Sequence, residues 1–305
     1  MTPTDAGLQR RRHRQLGEHG LAWLFLVPSV AVFVLFIGYP LGRSVYLSLY
    51  GSDIFGGASA FVGLQNYTDM FGSGDFAKIL LNTLEFVLLT VLPGVFGALL
   101  VVLLLEAHIR GVRVFRTAFA LPFAFSVATA SVIFSVIYNY QIGLANGILG
   151  FLGIDRVGWV TDPHVAIVSL AVTTVWMNLG YNVLVLSAGV SALPQEVVEA
   201  ARLDGATGLR LARSIIIPLL SPQLFFLLVV STIQSLQSFG QIHILTRGGP
   251  DGATTTLVYS IYENAFANGA SDFGTASAQA MVLMIIVLGC TALQFGVLER
   301  RVHYR

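Results

Sequence analysis

EAARLDGATGLRLARSIIIPLLSP, residues 199–222, is the stretch around which this chain is organised. It is a long, cation-bearing, glycine-interrupted segment between two apolar runs that are each long enough to cross a bilayer. Pro194 is placed to open a short helix just ahead of it, since a helix start leaves an N–H without a partner and proline has none to leave. Glu196 and Glu199 then fall near the positive end of the helix dipole. Asp204-Gly205 breaks that helix. Gly205 is free to take the left-handed conformation that closes it, and Thr207 or Asp204 suits the cap of a following helix whose apolar run enters the membrane from Ile215. Ala200 and Ala201 leave the first helix nearly flat on one side, so another surface can approach closely. The expected product is a helix, a sharp bend and a second helix. The same spacing also fits an amphipathic helix lying on a membrane surface.

Composition places the stretch in a bilayer protein. Of 305 residues, 55% are hydrophobic and only 11% charged, and the mean hydropathy is +0.77, too apolar for a soluble domain of this length. Cys290 is the only cysteine, which excludes a disulfide framework and a cysteine-based metal site. Residues 1–20, with Arg10, Arg11, Arg12 and Arg14, read as a cytoplasmic tail. Leu21 to Leu41 is too long for the apolar core of a signal peptide and reads as a first span, interrupted at Pro28 and Pro40.

The expected spans are about 21–41, 79–105, 114–138, 165–190, 216–242 and 278–298, with 191–215 as the inner connection that holds the opening stretch. Residues 42–78 read as a polar, glycine-rich loop with a short amphipathic piece, and 139–164 as an outer loop with interfacial aromatics such as Trp159. Cation placement tests the topology. Of the 17 lysines and arginines, thirteen fall in segments assigned inside, while Arg43, Lys78, Arg156 and Arg247 fall outside. Every connection obeys the positive-inside rule, so the opening stretch and both termini face the cytoplasm. Glu85 lies in the second span and is either a functional acid within the hydrocarbon or a group near the outer end that reaches the interface, the reading preferred here.

The chain carries no engine of its own. A phosphate-binding loop needs Gly-x4-Gly-Lys-Ser/Thr, and the sole lysine, Lys78, lies in DFAKIL. The glycine-rich Leu245–Thr256 lacks that lysine and maps to the outer face. The six histidines are scattered over both faces without metal-ligand spacing, and no Ser-His-Asp set can be placed on one face. Solute-sized polar groups do occur within the spans. Ser231, Gln234, Gln237, Ser238 and Gln241 recur at helical spacing in the fifth, and Asn178 and Asn182 lie four apart in the fourth. Such a stripe either lines a wet path or glues helices together. With no cation mid-membrane, a hydroxylated solute suits these groups better than a bare anion, unless a partner chain supplies the charge.

Several motifs carry a resemblance. Glu199, Ala200, Ala201, Gly205, Ile215 and Pro218, with Asp204 and Ala206, resemble the EAA signature of membrane subunits of binding-protein-dependent ABC importers. Gly63-Leu64 and Asn66-Tyr67 resemble the GLxNY motif of the sugar-type permeases, and LTRGGP with LVYSIYENAF resembles their block between the fifth and sixth spans. The resemblance implies an all-α, polytopic, six-helix fold of the type I importer permease, in the bacterial inner membrane. It implies that Glu199 to Ala206 form a coupling helix docked on a separate ATPase dimer, which alone binds ATP and magnesium. It further implies a homologous second permease and an extracytoplasmic solute-binding protein that faces Gly248, Gly249 and Pro250. No metal, nucleic acid or catalytic residue is implied for this chain.

The overall look is of the glycerol-3-phosphate kind, which implies glycerol 3-phosphate or related glycerophosphodiesters as solute. A disaccharide such as trehalose or maltose is the alternative. A homodimeric secondary carrier and a membrane anchor are the competing classes; the scarcity of acids in mid-span counts against the carrier, and the polar stripes have no place in an anchor.

Overall fold

The computed structural model describes residues 24–53, 57–106, 112–267 and 271–297. The basic tail, Arg110 and the C-terminal cations lie outside these residues. The chain begins with α1, Leu24–Ser48, which carries a π turn at Val34–Gly38. Pro40 explains that turn: it lacks the N–H for the carbonyl of Phe36 and its ring crowds that carbonyl, so the helix widens just upstream. α1 runs past the expected end at Leu41, because the residues after Pro40 resume helical geometry as far as Ser48.

The loop expected over 42–78 is largely ordered. β1 (Tyr50–Ser52) pairs antiparallel with β2 (Ala58–Phe61), and α2 (Gln65–Gly72) follows. The Asn66 amide fixes the junction by donating to the carbonyls of Ser48 and Tyr50, each at 2.9 Å. Among the described residues this hairpin is the only departure from an all-helical chain.

α3 (Gly74–Glu106) holds Pro93 in its interior without a break. The expected third span is not straight. α4 (Val112–Ala120) passes into a 3-10 turn over Leu121–Ala124, and α5 (Val127–Ile137) leaves it at 108°. Pro122 sets the turn, and Ser126 caps α5 by accepting from the Thr129 N–H at 3.1 Å. α6 (Leu144–Phe151) lies in the outer loop, built on Asn146. That buried side chain bonds Tyr140 and both backbone groups of Val157, and accepts from the Trp159 indole.

α7 (Ala166–Ser191) precedes the organising bend, α8 (Gln195–Leu203) and α9 (Gly208–Leu219). α10 (Ser221–Leu236) departs from α9 at 68°. A π turn at Ala212–Ile216 sits upstream of Pro218 for the reason given for Pro40. The chain finishes with α11 (Gly240–Leu245), α12 (Leu257–Tyr262, running into a π turn at Glu263–Ala267) and α13 (Phe273–Val297). Among the described residues four helices are long and apolar enough to span a membrane, and the count reaches six if each bent pair is one span.

Among the described residues four hydrophobic clusters hold the helices, and two of them position the site. The inner one joins Val95 and Leu99 of α3, Val183 and Leu186 of α7, Ala201 of α8, Leu211 of α9 and Leu227 of α10. The outer one joins Phe86, Leu170, Ile242 and Tyr259. Lipid is as apolar as these side chains, so cohesion within the bilayer comes from close packing and cross-helix hydrogen bonds. Gly180 shows how close the packing is: a Cβ there would lie 2.9 Å from Cβ of Phe123 and 3.0 Å from the Ala120 carbonyl oxygen. Thr90 and Ser235 tie α3 to α10 at 2.6 Å, and Gln294 donates to Thr232 at 2.9 Å.

Candidate coupling and translocation site

The bend is made from backbone first. Pro194 stands at the N-cap of α8 with φ −61° and ψ 116°, and Glu196 occupies the first turn. At the other end the Ala206 N–H donates to the Ala201 carbonyl at 2.9 Å and the Gly205 N–H to Arg202 at 3.0 Å. Gly205 sits at φ +83°. These are the two bonds of a Schellman closure, which satisfies carbonyls that α8 would otherwise leave open. Thr207 is the N-cap of α9 by position only, because neither its side chain nor that of Asp204 bonds the helix start. Gly208, at φ +52°, supplies a second left-handed step that sequence reasoning missed, although a glycine three residues after another is a visible signal.

The side chains divide sharply. Ala201 is 8% exposed and belongs to the inner core with Leu211, whereas Glu199, Ala200, Asp204 and Gly205 face out. Leu203 and Leu209 stand 89% and 81% exposed on the bend. Two bare leucines beside charged residues form an apolar surface of the sort that a partner covers. Behind the bend lies a hollow of about 1010 Å³ lined by Leu100, Leu104, Val190, Leu193 and Leu209, with Arg202 at its polar side.

The polar stripe is not one continuous face. α10 ends at Leu236, Gln237 caps it, and Ser238 and Phe239 are non-helical. The turn is tight: a Cβ on Gly240 would lie 2.8 Å from Val127. Gln234 and Gln237 are exposed and Ser231 partly so, while the Ser238 hydroxyl bonds back to the Gln234 carbonyl at 3.1 Å. The break turns Gln241 inward. It is 4% exposed and donates to Thr174 of α7 at 3.1 Å. Asn182 is likewise 2% exposed and donates to the Gly94 carbonyl of α3 at 3.2 Å, one residue after Pro93. In this structure both amides bond a neighbouring helix, the second of the two roles that the sequence leaves open for them. Asn178 is half-buried and bonds no described residue. Glu85 is exposed on α3.

The outer Gly-Gly-Pro segment is a folded cap. Gly248 is buried at φ +79°, and a Cβ there would meet the Tyr259 ring at 2.7 Å. Its carbonyl accepts from the Thr254 N–H at 3.1 Å and the Thr255 hydroxyl at 3.0 Å, and the Gly249 carbonyl accepts from Thr254 at 2.6 Å. Pro250 is half-buried. α3 holds this cap from below: Lys78 donates to Asp251 at 2.6 Å, Asn82 to Gly252 at 2.8 Å, and the Leu257 N–H to Thr83 at 2.9 Å. Their sequence signal is a polar cluster opening an apolar span.

Two acids near the outer end are shifted. Burial raises the Glu263 carboxyl. At Asp272 burial also acts upward, but hydrogen bonds from Thr275, Ser52 and Gly274 outweigh it and hold the pKa below the ordinary carboxylate value. Among the described residues no group of three His, Cys, Asp or Glu is placed to hold a metal.

Comparison with known proteins places the chain in a family. Residues 86–304 match the family model described as "Binding-protein-dependent transport system inner membrane component". The protein named sn-glycerol-3-phosphate transport system permease protein UgpA of Agrobacterium fabrum is 36% identical over 287 residues, covering 93% of this chain and 96% of its own. Its namesake in Brucella abortus is 37% identical over 287 residues with the same coverage, 93% and 96%. Among solved structures, a bacterial alginate ABC transporter in complex with an alginate pentasaccharide-bound periplasmic protein superposes with a TM-score of 0.80 at 20% identity, covering 94% of this chain and 96% of that one. A second structure of a bacterial ABC transporter involved in alginate import gives 0.78 at 22% identity, covering 94% and 99%. These two establish the fold, that of an ABC importer permease. A transport component of this kind is not an enzyme, and the secondary-carrier reading falls away. The chain belongs to the family of binding-protein-dependent transport system inner membrane components.

Proposed function

We propose that this chain is one of two permease subunits of an ATP-driven importer of glycerol 3-phosphate or related glycerophosphodiesters. The observation that carries this reading is the likeness, over 93% of the chain, to permeases named for sn-glycerol-3-phosphate transport. The other parts are a homologous second permease, two ATPase chains docked at the bend, and a solute-binding protein seated on the outer cap of Gly248, Gly249 and Pro250.

In this reading the exposed Glu199, Ala200, Leu203, Asp204 and Leu209 meet the ATPase. Ala201, Ala206 and Leu211 anchor the same turn in the core shared by α3, α7 and α10. Displacement of the bend therefore moves these helices as a body, since a packed core transmits strain instead of absorbing it. Ser231, Gln234, Gln237 and Ser238, with Asn178, present neutral hydrogen-bonding groups to a hydroxylated solute, while Asn182 and Gln241 keep the helices that carry them in register.

The test is uptake by proteoliposomes holding the complete assembly, ATP inside and the binding protein outside. Labelled glycerol 3-phosphate is expected to accumulate and unlabelled trehalose or maltose to leave its uptake unchanged. Accumulation of a disaccharide with no uptake of the phosphate ester would overturn the substrate reading.

A further inference from the structure

The outer ends of α10 to α12 gather a set of rings and unpaired polar groups that the coupling and path readings do not use. His243 stacks on Phe239 at 5.2 Å between centroids with 16° between planes, and meets Tyr262 edge-on at 5.2 Å. Tyr262 in turn lies 4.9 Å from Phe239 and 5.9 Å from Tyr259. Gly248, in its left-handed conformation, closes directly over the Tyr259 ring. Arg247 follows His243 by four residues and is exposed, in a left-handed backbone conformation at φ +50°. A side chain with a Cβ costs about 1 kcal/mol or more in that region, where glycine is free. The fold holds the arginine there by bonding its N–H to the Ile242 carbonyl at 2.8 Å.

Exposure across this cluster is graded: Tyr259 is 4% exposed, His243 and Tyr262 are half-buried, and Arg247 is exposed. His243 Nε2, the hydroxyls of Tyr259 and Tyr262, and the Arg247 guanidinium make no hydrogen bond or ion pair with any described residue. They are not sealed from the surface either, since His243 Nδ1 is the one atom of the cluster that is both buried and unpartnered. The rings of His243, Tyr259 and Tyr262 pack on one another and on Phe239, and Arg247 leaves the chain beside them, because the next residue, Gly248, lies against the Tyr259 ring. Polar groups left bare at the edge of a bilayer face water or a ligand, because lipid offers them nothing. An apolar floor with a few convergent polar groups and a cation is the makeup of a site for a small organic anion. The other outer cation near this cap, Lys78, is already engaged with Asp251.

We propose that Arg247 and His243, seated on Phe239, Tyr259 and Tyr262, form an outer subsite that takes the phosphate of a phosphate ester as solute leaves the binding protein. This rests on the glycerol-phosphate reading above and adds the cation that the neutral face of Ser231, Gln234 and Gln237 lacks. The half-buried Glu263 carboxyl beside it keeps the grip weak, as a passing station requires. An arginine suits the role because its planar fork matches phosphate oxygens.

The test compares Arg247→Gln, Arg247→Lys and Tyr262→Phe in the complete reconstituted transporter. Arg247→Gln is expected to raise the KM for glycerol 3-phosphate about tenfold, the scale of one lost charge-assisted bond. Arg247→Lys recovers most of that loss, and Tyr262→Phe raises KM by a smaller factor. Inorganic phosphate is expected to compete with the ester in the parent and lose that effect in Arg247→Gln, while ATP hydrolysis stimulated by solute-free binding protein stays at the parent level. Unchanged KM in Arg247→Gln, with the parent importing the ester, overturns this inference alone. An equal loss of affinity for the solute-free binding protein also overturns it, by assigning the cation to that protein. A parent that imports no phosphate ester overturns both the subsite and the substrate reading.

Discussion

At the scale of the residue, the bend depends on two glycines with left-handed backbones, Gly205 at φ +83° and Gly208 at φ +52°. No heavy atom lies within 4 Å of a Cβ built on either, so their role is conformational and not one of close approach. Replacing Gly205 by alanine is expected to cost about 1–2 kcal/mol of local stability, because the Cβ then opposes the carbonyl oxygen. Gly205→Pro goes further and removes the N–H that bonds Arg202. The predicted outcome is a subunit that inserts and assembles but hydrolyses ATP without solute uptake, read by measuring both rates on one preparation. Glu199→Lys, which reverses the charge on the outward face, is expected to uncouple in the same way. Normal uptake in both variants would refute the role given to this turn. Gly205 was legible in the sequence because Asp-Gly after a helical run has few other uses. Gly208 was missed although its spacing from Gly205 was visible, since a glycine beside Thr207 reads equally as loop.

At the scale of the element, what sequence could and could not give follows the same logic. Periodicity sees where apolar runs begin and end, so the long helices α1, α3, α7 and α13 were visible. It does not see direction, and so the 108° turn after Leu121–Ala124 and the break after Leu236 escaped it. The second break turns Gln241 onto Thr174, whereas Asn182, inside the unbroken α7, is buried by the approach of α3 at Gly94; periodicity alone left both amides open to lining or glue. The hairpin at Tyr50–Ser52 and Ala58–Phe61 escaped for another reason: its partner is far along the chain. Ser52 donates to Asp272 at 2.9 Å and accepts from the Gly274 N–H at 2.7 Å, while the Thr275 N–H donates to Asp272 at 3.0 Å. Asp272 thus caps α13 and pins the hairpin to it. Its pKa is depressed in the fold, so the stabilisation it gives is present above the ordinary carboxylate pKa and is lost as pH falls through the lower, folded value. Protease nicking of the hairpin is therefore expected to rise as the pH falls below about 4, and Asp272→Ala is expected to nick readily at neutral pH, with a cost of about 1 kcal/mol for the lost cap. A nicking rate equal in the variant and the parent would contradict the assignment.

At the scale of the whole molecule, one inner core links the bend to α3, α7 and α10, and an outer core links α3 and α7 to α11, α12 and the cap that α3 staples through Lys78, Asn82 and Thr83. In the proposed mechanism, motion imposed on the exposed Leu203 and Leu209 at one end reaches Gly248 and its neighbours at the other through packed side chains. That continuity is why a chain without a nucleotide site can belong to an ATP-driven machine. The central claim is that work enters from outside this subunit through the bend. The most direct measurement is glycerol 3-phosphate uptake by vesicles containing this permease, its partner permease and the binding protein, with and without the ATPase chains, and with Leu203→Asp and Leu209→Asp together. The account predicts uptake only with ATPase and ATP present, and none in the double variant because the ATPase no longer docks. ATP-independent uptake by the permease chains alone would contradict it, and so would full ATP-driven uptake by the double variant.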